Sequence, residues 1–176
     1  MKKNGFYIIK DEFFRDFPDP YLRGNKKENR PHYYCIEDKN GIFWMIPMST
    51  RVEKYKKIIE VKEKNNKKCD VLHILKLSNG KNNVFLIGDM FPVTENYIER
   101  EYTIKNNHLM LYNESEIILI EKKAKKVKEM IKHGVKFTRT QPDVMKIFEK
   151  LVSLEKNSVS MLLVKVAWSD YLTIKY

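Results

Sequence analysis

Only two cysteines, six glycines and six prolines occur among the 176 residues. Cys35 and Cys69 cannot make the disulfide framework of a small secreted domain, so a reducing cytoplasm is the expected compartment. No stretch reaches the ~18–20 consecutive apolar residues of a membrane-spanning helix. The longest candidate, Met161-Leu162-Leu163-Val164-Lys165-Val166-Ala167-Trp168, is short and interrupted by a lysine. Behind Met1-Lys2-Lys3-Asn4-Gly5 no signal-peptide apolar core follows. His32, His73, His108 and His133 are widely spaced, with no His/Cys pair at metal-ligand spacing, so neither a metal nor another cofactor is expected. A glycine-rich phosphate loop ending in Gly-Lys-Ser/Thr is also missing. No carboxylate pair stands out, and Asp89 after Gly88 reads as a turn residue.

What the chain has in excess is positive charge: 34 Lys and Arg against 23 Asp and Glu, a formal net charge of +11. At 43% hydrophobic and 12% aromatic residues it is nonetheless too apolar to be disordered. The length suits one domain, expected over residues 1–156, with 157–176 a C-terminal extension of separate apolar character. Of the basic residues 28 are lysine, and Asn and Ile are also abundant, a bias that an AT-rich genome produces by itself. Where the lysines sit therefore carries more information than their number.

The first half reads as strands. Phe6-Tyr7-Ile8-Ile9 is an apolar run fit for a buried strand, and the Pro- and Gly-bearing stretch from Arg15 to Pro31 reads as a long loop. Tyr33–Ile36 and Ile42–Ile46 flank Asn40-Gly41, a hairpin signal; Val71–Leu77 and Val84–Ile87 flank Asn79-Gly80 in the same way. A small, curled antiparallel sheet follows from pairing sequence neighbours. Thr50 with Glu53 reads as a capping box opening a helix whose apolar face is Val52, Tyr55, Ile59 and Ile58. Further on, Ile117, Ile120, Ala124, Val127 and Ile131 fall on one helical face, capped by Asn113 and stopped by Gly134. A last helix starts near Thr140-Gln141-Pro142 and buries Val144, Ile147, Phe148 and Leu151.

Two segments hold nearly all the charge imbalance. Arg51–Lys68 has eight basic and three acidic residues, and Glu121–Lys136 seven and two, so each carries +5. Lysines on the solvent side of two amphipathic helices are the distribution expected for phosphate contacts, with Lys56, Lys57, Lys122, Lys123 and Lys126 as candidates; a merely soluble helix face is the competing explanation. Tyr33, Tyr34, Phe43 and Trp44 either stack bases or form core. The densest local cluster is Pro47-Met48-Ser49-Thr50-Arg51, where hydroxyls and a guanidinium meet the expected start of a helix. The outward-pointing amides there suit a phosphate, while the same residues also serve as an ordinary helix cap. If the chain is an enzyme, the residue types available (His, Tyr, Ser, Thr, Arg, Lys) suit RNA cleavage by the RNA's own 2′-OH.

Four motifs occur in order: Arg30-Pro31-His32-Tyr33-Tyr34, Pro47-Met48-Ser49-Thr50, Gly88-Asp89-Met90-Phe91-Pro92-Val93, and Leu109-Met110-Leu111-Tyr112 entering the second lysine-rich helix. From about Phe6 to Leu154 the chain thereby resembles the ToxN/AbiQ family, toxins of type III toxin–antitoxin systems, including the CptN branch. The resemblance implies an α+β fold: a compact, strongly bent antiparallel sheet with a Kid/MazF-like, SH3-like barrel core and flanking basic helices. It also implies a metal-independent endoribonuclease leaving 2′,3′-cyclic phosphate and 5′-OH ends. Such toxins are inhibited by a repeat-derived, pseudoknotted antitoxin RNA that they process themselves, in closed toxin–RNA assemblies. Ser49 and Thr50 match the family's hydroxyl pair, and Tyr112 the tyrosine of its Met-Leu-Tyr motif. His32 stands where a basic residue follows the proline. Val52 replaces a family lysine, leaving Arg51 or Lys54 to supply that charge. The family's tyrosine before the proline has no counterpart, Tyr21 being the nearest. The expected catalytic set is thus His32, Ser49, Thr50, Arg51 and Lys54, with Arg30, Tyr7, Tyr33 and Tyr112 positioning RNA. Two other readings stay open: a non-catalytic RNA- or DNA-binding module, and a Kid/MazF-type toxin inhibited by a protein.

Overall fold

Apolar runs without a charged position become strands covered on both faces, and three of them form the middle of this molecule. The computed structural model describes residues 1–156 apart from Arg23, Lys26, Glu28, Lys39, Asn40 and Asn79. The expected extension over 157–176 lies outside the described residues. Strands β1 (Phe6–Ile9), β2 (His32–Glu37) and β3 (Phe43–Ser49) are almost entirely buried. Helix α1 (Asp11–Asp16) follows β1, and α2 (Val52–Lys64) follows β3. Next come β4 (His73–Lys76), β5 (Asn82–Phe85), β6 (Phe91–Val93) and β7 (Ile98–Glu101). A small ribbon of β8 (Thr103–Ile104) and β9 (Asn107–His108) leads to α3 (Glu114–Lys132), and α4 occupies residues 144–156.

Among the described residues seven strands form one antiparallel sheet in the order β4-β5-β3-β2-β1-β7. Strand β6 pairs with β3, at Phe43 to Met45. On that same edge, β3 passes from β6 to β5 at Met48 and Ser49. The β2–β3 register slips between Tyr34 and Ile36, leaving Cys35 as an extra residue; a second irregularity falls at Ile8/Ile9. Such bulges increase local twist and bend a sheet. The result is a bent, open sheet with edges at β4 and β7. Among the described residues no strand pairing joins those two edges, so the SH3-like core is a bent sheet and not a closed barrel.

Helix α3 packs on β2 and on the short turn Ile87–Asp89 through Ile120, Ala124, Val127 and Ile131, all buried as their spacing predicts. Asn113 caps it, its Oδ1 accepting from the Glu116 amide at 3.3 Å, and Gly134 ends it with φ +79°. Val144, Ile147 and Leu151 of α4 complete the same core, and Phe148 stacks on Trp44 with ring centroids 5.8 Å apart. Tyr34, Phe43 and Trp44 are core residues, which removes them as stacking platforms. Helix α2 packs on β5 over a smaller cluster of Tyr55, Cys69, Leu72, Val84 and Leu86. Thr50 does not cap this helix: Arg51 holds the capping position and no side chain bonds the first amides. Helix α1 and the strands after Asp89 escape sequence reading because they are short, two to six residues each.

Phe85 is fully buried against Phe6 and Tyr33, whereas Ile118 is 67% exposed. In urea unfolding, Phe85→Ala is expected to cost about 3–5 kcal/mol and Ile118→Ala within about 0.5 kcal/mol of zero.

Candidate nucleic-acid interface

The corner between β3 and α2 is built by pairing. Ser49 is the last strand residue, opposite Val84 of β5, and its Oγ accepts from the Arg51 amide at 3.2 Å. The Val52 amide donates to the Thr50 carbonyl at 2.9 Å. The chain thereby turns sharply, with Thr50 and Arg51 exposed and Ser49 half-buried.

Beside this corner lies a cleft of about 260 Å³. Four distant parts of the chain line it. From the loop before β2 come Tyr21, Leu22 and Arg30; from β3 and α2 come Pro47, Lys54, Tyr55, Ile58 and Lys62. Val71, Leu86, Asp89 and Phe91 form another side, and residues 137–142 the last. Arg30 is buried and its Nε donates to the Met48 carbonyl at 3.3 Å, which anchors the guanidinium next to the Ser49 end of β3. Lys54 carries its Nζ over the Tyr55 ring, 5.5 Å from the centroid. Of the two cations expected to replace the missing lysine, Lys54 lines the cleft and Arg51 does not. Tyr21, remote in sequence from Pro31, also faces this space and is 46% exposed.

On the other flank of α2 runs a groove of about 720 Å³, lined by Glu63, Lys67, Lys68, Asp70, His73, Lys122, Lys123 and Lys126. The two lysine-rich segments thus face one shared space. Three contacts hold its far wall. Lys123 Nζ donates to the Leu72 carbonyl at 3.2 Å, Lys126 pairs with Asp70, and His73 Nε2 sits 2.8 Å from Glu116 Oε2. Burial, reinforced by Lys123, holds His73 below its ordinary value although Glu116 favours the charged ring. Lys128 faces inward instead, pairing with Asp38 at 2.8 Å under the Trp44 ring. Lys56 and Lys57 are exposed on α2 and line neither space.

Three expected site residues are in the core. His32 is fully buried and edge-on to Phe91. Burial and the neighbouring Arg30 charge push its pKa down to about 3. A neutral ring sealed beneath the cleft floor has no contact with a surface substrate, so this structure offers no acid–base role for it. Its place is explained by β2: a central strand covered on both faces buries its first residue along with the rest. Tyr7 is buried, its hydroxyl donating to the Lys2 carbonyl at 3.0 Å and accepting from the Lys2 amide at 2.6 Å. Tyr33 is buried against Phe6 and Phe85 and donates to Asn4 Oδ1 at 3.0 Å. Tyr112, by contrast, is 78% exposed and borders a separate shallow groove with Lys3, Met110 and Ile118. Tyr21, Lys62, Asp89, Thr138 and Thr140 were not expected at the site; Asp89 belongs to a noticed motif, whereas the others carry no local signal. Among the described residues no group of three His, Cys, Asp or Glu side chains is placed to hold a metal ion, and no helix is long and apolar enough to cross a membrane.

This architecture is that of solved toxin structures. The chain superposes on the lactococcal anti-phage endoribonuclease AbiQ, which belongs to the type III toxin–antitoxin system, with a TM-score of 0.64 and 17% identity over 89% of this chain and 99% of that one. A second match comes from a study of bacterial type III toxin–antitoxin systems describing selective toxin inhibition by a non-coding RNA pseudoknot. There the TM-score is 0.58 and the identity 20%, over 85% of this chain and 96% of that one. At these identities the likeness is one of fold. No protein-family profile and no curated protein matches the sequence.

The burial of His32 makes a pH prediction. Between about pH 6.5 and pH 3 the unfolded chain binds a proton that the folded chain refuses, so stability is full above that window and falls as pH drops through it. His32→Leu removes this term. Unfolding free energies measured at pH 7 and pH 4 should show the variant losing less than the wild type, by on the order of a few kcal/mol.

Proposed function

We propose that this protein is an endoribonuclease toxin of the ToxN/AbiQ kind, cutting RNA without a bound metal. The observation that supports this best is the convergence of Tyr21, Arg30 and Lys54, from separate chain segments, on a cleft beside the Ser49-Thr50-Arg51 corner. The fold on which they converge is shared with two toxin structures. In the reaction, the RNA 2′-oxygen bonds to the adjacent phosphorus as the P–O5′ bond breaks. The 2′-OH gives up its proton and the departing O5′ gains one, leaving a 2′,3′-cyclic phosphate and a 5′-OH. Ser49, Thr50 and the uncapped start of α2 hold the phosphate, and Arg30, Arg51 and Lys54 offset the charge that builds on its oxygens. Tyr21 is the cleft's candidate for proton transfer to the leaving oxygen, a role in which it replaces the buried His32.

The groove between α2 and α3 is the matching surface for a structured inhibitor RNA. Its lysines lie outside the cleft, so a folded RNA can occupy the groove while one end enters the cleft. Closed toxin–RNA assemblies in the cytoplasm follow from the same reading, with exposed Tyr112 as a further stacking point.

Purified protein incubated with RNA in excess EDTA is expected to generate new 5′-OH ends and cyclic phosphates. Lys54→Ala and Ser49→Ala/Thr50→Ala should each lower the rate by about 10²-fold or more. Retention of RNA without cleavage would instead identify a binding module, and cutting suppressed by a co-encoded polypeptide a Kid/MazF-type toxin.

Binding in the groove should also weaken steeply with salt. Replacing Lys67, Lys68 and Lys122 together by alanine is expected to flatten the slope of log K against log[salt] by about 2, measured with uncleavable 2′-deoxy RNA analogues. An unchanged slope places the RNA elsewhere.

A further inference from the structure

One wall of the cleft comes from residues 137–142, outside both basic helices and outside the Ser49-Thr50-Arg51 corner. This wall is braced internally. The Phe137 amide donates to Gln141 Oε1 at 2.7 Å, and the Gln141 amide donates back to the Thr138 carbonyl at 3.3 Å. Gln141 is only 5% exposed, so the brace is shielded from water. A second tie runs outward: the Asp143 amide donates to Asp19 Oδ2 at 3.0 Å, two residues from Tyr21. The turn thereby holds Thr138 and Thr140, both exposed, on the lining of a fixed slot.

The chemistry of the slot is divided. Tyr21, Phe91 and Phe137 give it aromatic sides, Arg30 and Lys54 give it cations, and the two threonines supply neutral hydroxyls that donate or accept. Its volume of about 260 Å³ falls just under the range of pockets for drug-sized molecules. That is ample for one unstacked base. Single-stranded RNA is read in this manner, by splaying a base against an aromatic ring and bonding its edge.

We infer that the slot takes one unstacked nucleobase and that Thr138 and Thr140 read its edge, making the 137–142 turn the base-selecting element. This rests on the cleft being an RNA site, as proposed above. It goes further by assigning selectivity to residues separate from those assigned to the phosphate.

The test separates base selection from cutting. Affinities of the full chain are measured for four 2′-deoxy homotetranucleotides, of adenine, cytosine, guanine and uracil, none of which supplies a 2′-OH. The wild type should bind one at least about tenfold more tightly than the weakest. Thr138→Val/Thr140→Val should bring all four within about threefold while keeping the wild-type affinity for the weakest and the wild-type melting temperature. Lys150→Ala, on the exposed side of α4, should match the wild type throughout. Equal affinity of the wild type for all four, or an unchanged preference in the double variant, overturns the inference. Cutting of the four ribose counterparts is scored separately. A protein that keeps its preference but never cuts ends the nuclease reading and leaves the slot standing.

Discussion

Strand β3 is paired along both of its edges, and the rest of the molecule is arranged to permit this. One edge runs against β2 along nearly its whole length. The other is divided, with β6 on its first half and β5 on its last two residues. The strand is also covered on both faces, so Trp44, Met45 and Ile46 are fully buried and only Ser49 at its end is half-buried. It also has a fixed exit. Where β5 stops pairing, Ser49 Oγ accepts from the Arg51 amide and the chain leaves as α2, whose Lys54 lines the cleft and whose Ile59 lines the groove.

Helix α2 then acts as a ridge. Lys54, Ile58 and Lys62 look into the cleft, while Ile59 and Glu63 look into the groove, and the two faces differ in purpose. The cleft is narrow, with aromatic sides and the cations of Arg30, Lys54 and Lys62; the groove is broad and lysine-rich. The lysines of α3 are likewise unequal. Lys128 is an interior brace between Asp38 and Trp44, Lys123 and Lys126 hold the β4 side, and Lys122 belongs to the surface. Charge counted along a sequence treats these alike, although only some can offset a phosphate without first releasing a structural contact.

Elements with long, regular periods were legible in the sequence. Helix α3 was set by its apolar spacing, Asn113 and Gly134, and both hairpins by their Asn-Gly pairs, whose glycines adopt φ +68° and +76°. The short strands from Phe91 to His108 were not, since two to four residues are too few for an alternation to show. The site was legible only where it is local. The Ser49-Thr50-Arg51 cluster stood out because it is contiguous, yet none of the three lines the cleft, whereas Lys54, one turn further on, does. His32 was misjudged because a proline-rich stretch precedes it, whereas its pairing with Pro47 makes it part of the interior. Tyr21 and Thr140 are separated by most of the chain, and no spacing rule connects them.

That separation has a consequence for synthesis. The cleft needs Tyr21 from near the start, Lys54 and Asp89 from the middle, and Thr140 and Pro142 from well past the second basic helix. A ribosome must therefore release everything from Tyr21 through Pro142 before the cavity can close. Fragments left by stalled or aborted translation lack a wall. A chain that stops before Thr140 has the corner and both basic segments but not the closed cleft.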